Sequence, residues 1–198
     1  MAEKRYVVGG HDGWLKVKRE PSGSVIAVPE HLQVELTASK DGRDSFTILE
    51  GVERGKKFSV KTGNLKSGNP GYHGMASLTF NITKGVLTYP GDQVKAITGA
   101  GTSNGDKPIS IGMHPIQIPD FPHNGGMGYL AQSPYAKNWF FLGQGHAMPG
   151  GGDRYLHTGT GSLGCITVEP FGWTRLYQYL ILCRRGDGET VGMVTVVK

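Results

Sequence analysis

Apolar and polar positions alternate over short stretches through most of the chain. Leu32/Val34/Leu36 alternate cleanly, Tyr6-Val7-Val8, Leu15/Val17, Val25 to Val28, Phe46/Ile48 and Phe58/Val60 give further short apolar runs, and Leu78/Phe80/Ile82 alternate again. Period-two patterning of this length predicts half-buried strands. Between the runs stand Gly9-Gly10, Pro21-Ser22-Gly23, Lys40-Asp41-Gly42 and Arg54-Gly55. Asp-Gly in particular suits a tight hairpin, because both residues tolerate positive φ. After Gly85, Val86 to Tyr89 reads as the return strand of a hairpin, and Val94 to Ile97 as a further strand. The period changes only near the end. There Trp173, Leu176, Tyr177, Leu180 and Cys183 recur at steps of three and four behind Pro170, which predicts one amphipathic helix running to about Arg184-Arg185-Gly186. Arg184 and Arg185 are expected in its last turn, where they complement the helix dipole. Thr190 to Val197 then closes the chain as a strand.

A mainly β protein is therefore expected, with one helix packed on a sheet. Glycine supplies 32 of the 198 residues while charged residues make up 19%, a balance suited to many short strands and tight turns. Lys61 to Gly74 holds five Gly or Pro residues and little apolar content, so it reads as a linker. This divides the chain into a small antiparallel β-rich region, 1–70, and a second unit, 71–198. Residues 98–152 are strand fragments in long Gly- and Pro-containing loops, the part of a β scaffold that walls a cleft.

Net charge is +5, yet the Lys and Arg are scattered, so no nucleic-acid partner is expected. No stretch reaches transmembrane length. Met-Ala-Glu-Lys-Arg is followed by no apolar h-region, so no signal peptide is expected: the chain would be made in the cytoplasm and act in the periplasm or at the cell wall after delivery. Four histidines, His114, His123, His146 and His157, match no spacing typical of zinc ligands, and neither a metal nor a cofactor is expected.

Candidate chemistry concentrates in Asp153 to Val168, DRYLHTGTGSLGCITV. His157 ends a short apolar run and Cys165 follows eight residues later, across three glycines. A thiol is mostly protonated at neutral pH and needs a base to become a nucleophile, and His157 is the nearest imidazole. His146 is the alternative base. The amides of Gly164 and Cys165 are candidate donors to an oxyanion, and Ser162 to orient the base or shape the loop. Trp139, in the apolar run Trp139-Phe140-Phe141-Leu142, Tyr155 and His146 are candidate substrate contacts. Cys183, in the apolar Leu180-Ile181-Leu182-Cys183, reads as a structural thiol.

Ser162-x-Gly164-Cys165-Ile166, placed between an apolar strand ending in histidine and an alternating strand, resembles the active-site signature of the L,D-transpeptidase (YkuD-like) catalytic domain. The likeness covers about residues 75–198, through the strand pair at Ser77–Ile82 and Val86–Tyr89, the Gly/Thr turn at Thr98–Thr102 and Lys107-Pro108. The chain departs from the pattern at Leu163, where the family usually has His, at Thr167, where it usually has Arg or Asn, and in its short His-to-Cys spacing, which is more like divergent members, some of them interbacterial effectors. The resemblance implies an L,D-transpeptidase-like β-sheet catalytic domain over 71–198. It implies acyl transfer on peptidoglycan stem peptides through a thioester on Cys165, of the transpeptidase or carboxypeptidase type. For an effector it further implies a cognate immunity protein or a secretion-system component as partner. A non-catalytic wall-binding module keeping the same fold is the alternative.

Overall fold

The protein is described here by a computed structural model covering residues 3–99, 107–143 and 152–198. The alternating runs of the N-terminal part form β1 (Glu3–Val7), β2 (Trp14–Arg19), β3 (Val25–Pro29), β4 (Gln33–Lys40), β5 (Arg43–Ile48), β6 (Lys57–Lys61) and β7 (Leu65–Ser67). They make one sheet in the order β3-β2-β6-β5-β4-β1-β7, antiparallel at every pairing. The Asp-Gly signal is realised between β4 and β5: Asp41 and Gly42 both take positive φ, 52° and 72°, and Lys40 faces Arg43 across the turn. Val34, Phe46, Ile48 and Phe58 fill the buried face. Each such side chain withdrawn from water contributes roughly 1.5–3 kcal/mol.

The second sheet comprises β8 (Ala76–Asn81), β9 (Val86–Tyr89), β10 (Asp92–Ile97), β11 (Gly112–Gln117), β12 (Phe140–Gly143), β13 (Arg154–Thr158), β14 (Ile166–Val168) and β15 (Thr190–Val197). Its order is β11-β15-β8-β9-β10-β14-β13-β12. The sheet is mixed: β15 runs parallel to β8 and β13 parallel to β14, and the other pairs are antiparallel. Helix α1 (Pro170–Leu180) buries Trp173, Leu176, Tyr177 and Leu180. The rings of Trp173 and Tyr177 meet Phe140 of β12, and a Cβ on Gly172 would come 2.8 Å from Val94 of β10, so the helix lies close against one face of this sheet.

Two local expectations are corrected. The stretch 61–74 is not a free linker: Leu65 is buried, β7 pairs with β1, Tyr72 Oη donates to the carbonyl of His31 (2.6 Å), and His73 bridges to Cys183. Leu65 alone supplies the apolar anchor that a composition count over the segment hides. The helix ends at Leu180, earlier than expected. Arg184 lies beyond it, drawn to Glu50, a residue 134 positions away, with contacts of 2.7–3.0 Å. The same guanidinium donates to the carbonyls of His31, Ile181 and Cys183. It ties the two sheets together, as do Asn138 Nδ2 to Asp12 O (2.8 Å) and Gly51 N to Gly188 O (2.8 Å). Between these ties the apolar core is continuous, running from Leu32, Val34 and Ile48 to Ile116, Ile118 and Val194.

Candidate active site

β13 and β14 place the candidate residues. Their parallel register sets Leu156 opposite Ile166, His157 opposite Thr167 and Thr158 opposite Val168. Leu156, Ile166 and Val168 are buried in the core, so Tyr155, His157, Cys165 and Thr167 share the other face of the sheet, away from the helix. The chain returns from Thr158 to Cys165 through Gly159, Thr160, Gly161, Ser162, Leu163 and Gly164. That is short for a parallel connection, which usually needs a dozen or so residues. Gly164 makes it feasible. Its φ is +110°, and a Cβ there would stand 2.5 Å from the carbonyl oxygen of Lys107 and 2.7 Å from Cζ of Arg154. No other residue fits that backbone and that space.

The loop is braced from inside and outside. Ser162 Oγ donates to the Cys165 carbonyl (2.7 Å) and accepts the Gly164 amide (3.2 Å). Thr98 Oγ1 donates to the Gly164 carbonyl (3.2 Å) and accepts the Ile109 amide (3.0 Å). Ser162 thus shapes the loop and does not touch the imidazole. Since the Gly164 amide is already engaged, the Cys165 amide, which has no hydrogen-bond partner among the described residues, is the candidate donor to an oxyanion.

Cys165 is half-buried, and the Tyr155 amide donates to its sulfur at 3.4 Å. Burial pushes its thiol above the ordinary value, Asp153 adds to the rise, and the Tyr155 amide and the charge of Arg154 oppose it. Arg154 is itself buried, its side chain against Gly164 and donating to the carbonyls of Gly152 and Asp153 (3.4 and 3.5 Å).

His157 does not hydrogen-bond Cys165. Its Nδ1 is 2.8 Å from the carbonyl of Thr158, which can only accept, so Nδ1 carries the proton. Nε2 therefore holds the lone pair and accepts from Thr167 Oγ1 at 3.2 Å. The parallel register is the reason: it brings Thr167, not Cys165, opposite His157, where an antiparallel return would have left the two strand ends facing. Burial holds the imidazole down to about 4, with the charge of His123 in the same direction and the Thr158 carbonyl opposing. His157 is neutral at pH 7.

What buries it is a column of rings. Phe121 stacks on His123 (4.4 Å), His123 on Trp139 (4.5 Å, planes 4° apart), and Trp139 on His157 (4.2 Å). Tyr155 meets His123 and Trp139 edge-on. His123 Nε2 lies 2.9 Å from Asp120 Oδ1, which fixes its ring plane. Trp139 and Tyr155 thus stand in the ring column on the thiol's face, whereas His123, Asp120, Arg154 and the tie from Thr167 to His157 have no local pattern that announces them. Alternation along β14 is the one signal that would have placed Thr167 beside Cys165. His146 lies outside the described residues. Among the described residues no group of three or more His, Cys, Asp or Glu converges as a metal site would, and His114 is tied to the carbonyl of Ser110 (2.8 Å).

No helix among the described residues is long and apolar enough to cross a membrane. No protein-family model, curated protein or solved structure matches this chain.

Proposed function

We propose that the chain is a cysteine acyl-transfer enzyme with an L,D-transpeptidase-like catalytic unit, acting on stem peptides of peptidoglycan. The observation that carries this reading is the placement of Cys165. Its half-buried thiol stands on one face of a mixed sheet, at the end of a glycine loop, with a neutral imidazole on the same face and the helix packed on the other. In the reaction, the thiol proton passes to Nε2 of His157 as Thr167 Oγ1 gives up that position, and sulfur bonds to the substrate carbonyl carbon. The oxyanion so formed is met by the Cys165 amide. As the carbonyl re-forms, the leaving amine takes the proton from the imidazolium and departs, leaving a thioester. An amine or water then attacks the thioester and regenerates the thiol, giving transpeptidation or carboxypeptidation. The charge of Arg154 stabilises the negative charge that develops on sulfur as its proton leaves.

The resting site is neutral on both sides, thiol and imidazole, so proton transfer accompanies attack and does not precede it. That same neutrality favours a second reading, a wall-binding module that keeps the fold without turnover, because a raised thiol is a slow nucleophile. Incubation with isolated peptidoglycan followed by fragment analysis separates the two. The enzyme yields new cross-links or shortened stems that vanish with Cys165→Ala; the binding module leaves the fragments unchanged.

A further inference from the structure

The thiol's face continues past β14 onto β10 and β9. Ile97 lies opposite Thr167, and Val86 opposite Lys95. Because alternate residues share a face, Val86, Lys95, Ile97, Thr167 and Cys165 all point the same way. On the β13 side this face is covered by the Trp139 and His123 rings; on the β10 side it is open, and Ile97 is 46% exposed. A recess of about 470 Å³ occupies that open part, with Val86, Ile97 and Thr167 among its walls and Lys84, Lys95 and Glu169 at its polar positions. Among the described residues none of these three charges takes part in an ion pair. Thr167 is the shared wall: its hydroxyl holds His157 and its side chain lines the recess. One strand spacing sideways, about 4.8 Å, and two residues along, about 6.7 Å, put the recess roughly 8 Å from the thiol, a reach of two to three extended peptide residues.

We infer that this recess is a subsite for a carboxylate-bearing peptide segment of the substrate attacked at Cys165. Lys84 and Lys95 meet the carboxylate, and Val86 and Ile97 take the apolar stem of the residue that bears it. Glu169 keeps the lining from being uniformly cationic, which disfavours a polyanion such as nucleic acid and favours a peptide of mixed character. The inference rests on the acyl-transfer reading for its choice of substrate, and it adds which part of that substrate is recognised and where.

The test uses the full chain carrying Cys165→Ala, so that binding is measured without turnover, and soluble muropeptides with free or amidated carboxylates as probes. Free-carboxylate peptide is expected to bind at least about tenfold tighter than amidated peptide, with the gap narrowing as salt is raised. Lys84→Glu with Lys95→Glu should abolish the gap, with circular dichroism unchanged because both side chains are exposed. With Cys165 restored, the double variant should lose kcat/KM through KM, with kcat little altered. Equal affinity for the two peptides, no binding of either, a gap that survives the double charge reversal, or an oligonucleotide bound as tightly as the free-carboxylate peptide each overturns the inference. If binding depends on the carboxylate but Cys165 never becomes acylated, the recess stands and the acyl-transfer reading falls.

Discussion

Burial of a neutral His157 has a cost that appears on acidification. In the folded protein its imidazole titrates at about 4 against an ordinary value of 6.5, and the residue is 8% exposed. Between those two values the unfolded chain binds a proton that the folded chain refuses, so stability falls as pH falls through this window. The contribution is fully present above pH 6.5. At pH 4 the linkage integral, RT ln[(1 + 10^2.5)/2], gives a loss of about 3 kcal/mol, and at pH 5 about 2 kcal/mol. The assay is urea unfolding of wild type and His157→Asn at pH 7, 5 and 4, taken as the difference of differences. Carboxylates and the half-buried imidazole of His31 titrate in both proteins and cancel. Wild type should lose about 3 kcal/mol more than the variant between pH 7 and pH 4. Identical losses in the two proteins would refute a buried, neutral His157.

Gly164→Ala must force a Cβ into the space held by the Lys107 carbonyl and Arg154 at positive φ, so it should lose on the order of 3 kcal/mol and all Cys165-dependent activity; thermal unfolding reads the first, and a stable variant would show the loop geometry to be wrong. Glu50→Ala strands the buried guanidinium of Arg184 and should cost roughly 3–5 kcal/mol in urea unfolding, whereas a loss below about 1 kcal/mol would mean that this pair does not hold the sheets together. Cys165→Ala should remove turnover and leave stability nearly unchanged, while Cys183→Ala should cost about 1 kcal/mol by a cavity and spare turnover; the reverse pattern would exchange the roles of the two thiols. Alkylation of Cys165 by iodoacetamide should outpace that of Cys183, which is fully buried, yet rise steeply only at alkaline pH, because burial raises both thiols.

Much of the fold is written locally. Leu78 and Phe80 alternate in sequence and are buried in β8, Asp41-Gly42 turns where positive φ is needed, and Trp173, Leu176, Tyr177 and Leu180 mark the helix face. What was not legible is long-range. Alternation says that β13 and β14 are strands but carries no direction, so it could not show that they run parallel and that Thr167 would face His157. The helix end is hidden in the sequence because Cys183 keeps the apolar spacing, while the pull of Glu50 on Arg184 comes from the other sheet. The ring column is similar: His123 looks isolated in sequence and gains its neighbours only when the 118–139 segment folds over β13. The linker expectation failed on one residue, Leu65, whose burial outweighs the composition around it.

Acyl transfer by this chain requires that Cys165 form a thioester with a stem peptide. The most direct measurement is intact-mass spectrometry of the protein mixed with a soluble tetrapeptide muropeptide and quenched in acid, with peptide mapping of any adduct. The expected result is a mass increase equal to the muropeptide less the whole departing amino acid, mapped to Cys165, removed by hydroxylamine and absent in Cys165→Ala. No adduct under conditions where the muropeptide binds, or an adduct that maps to another residue, contradicts it.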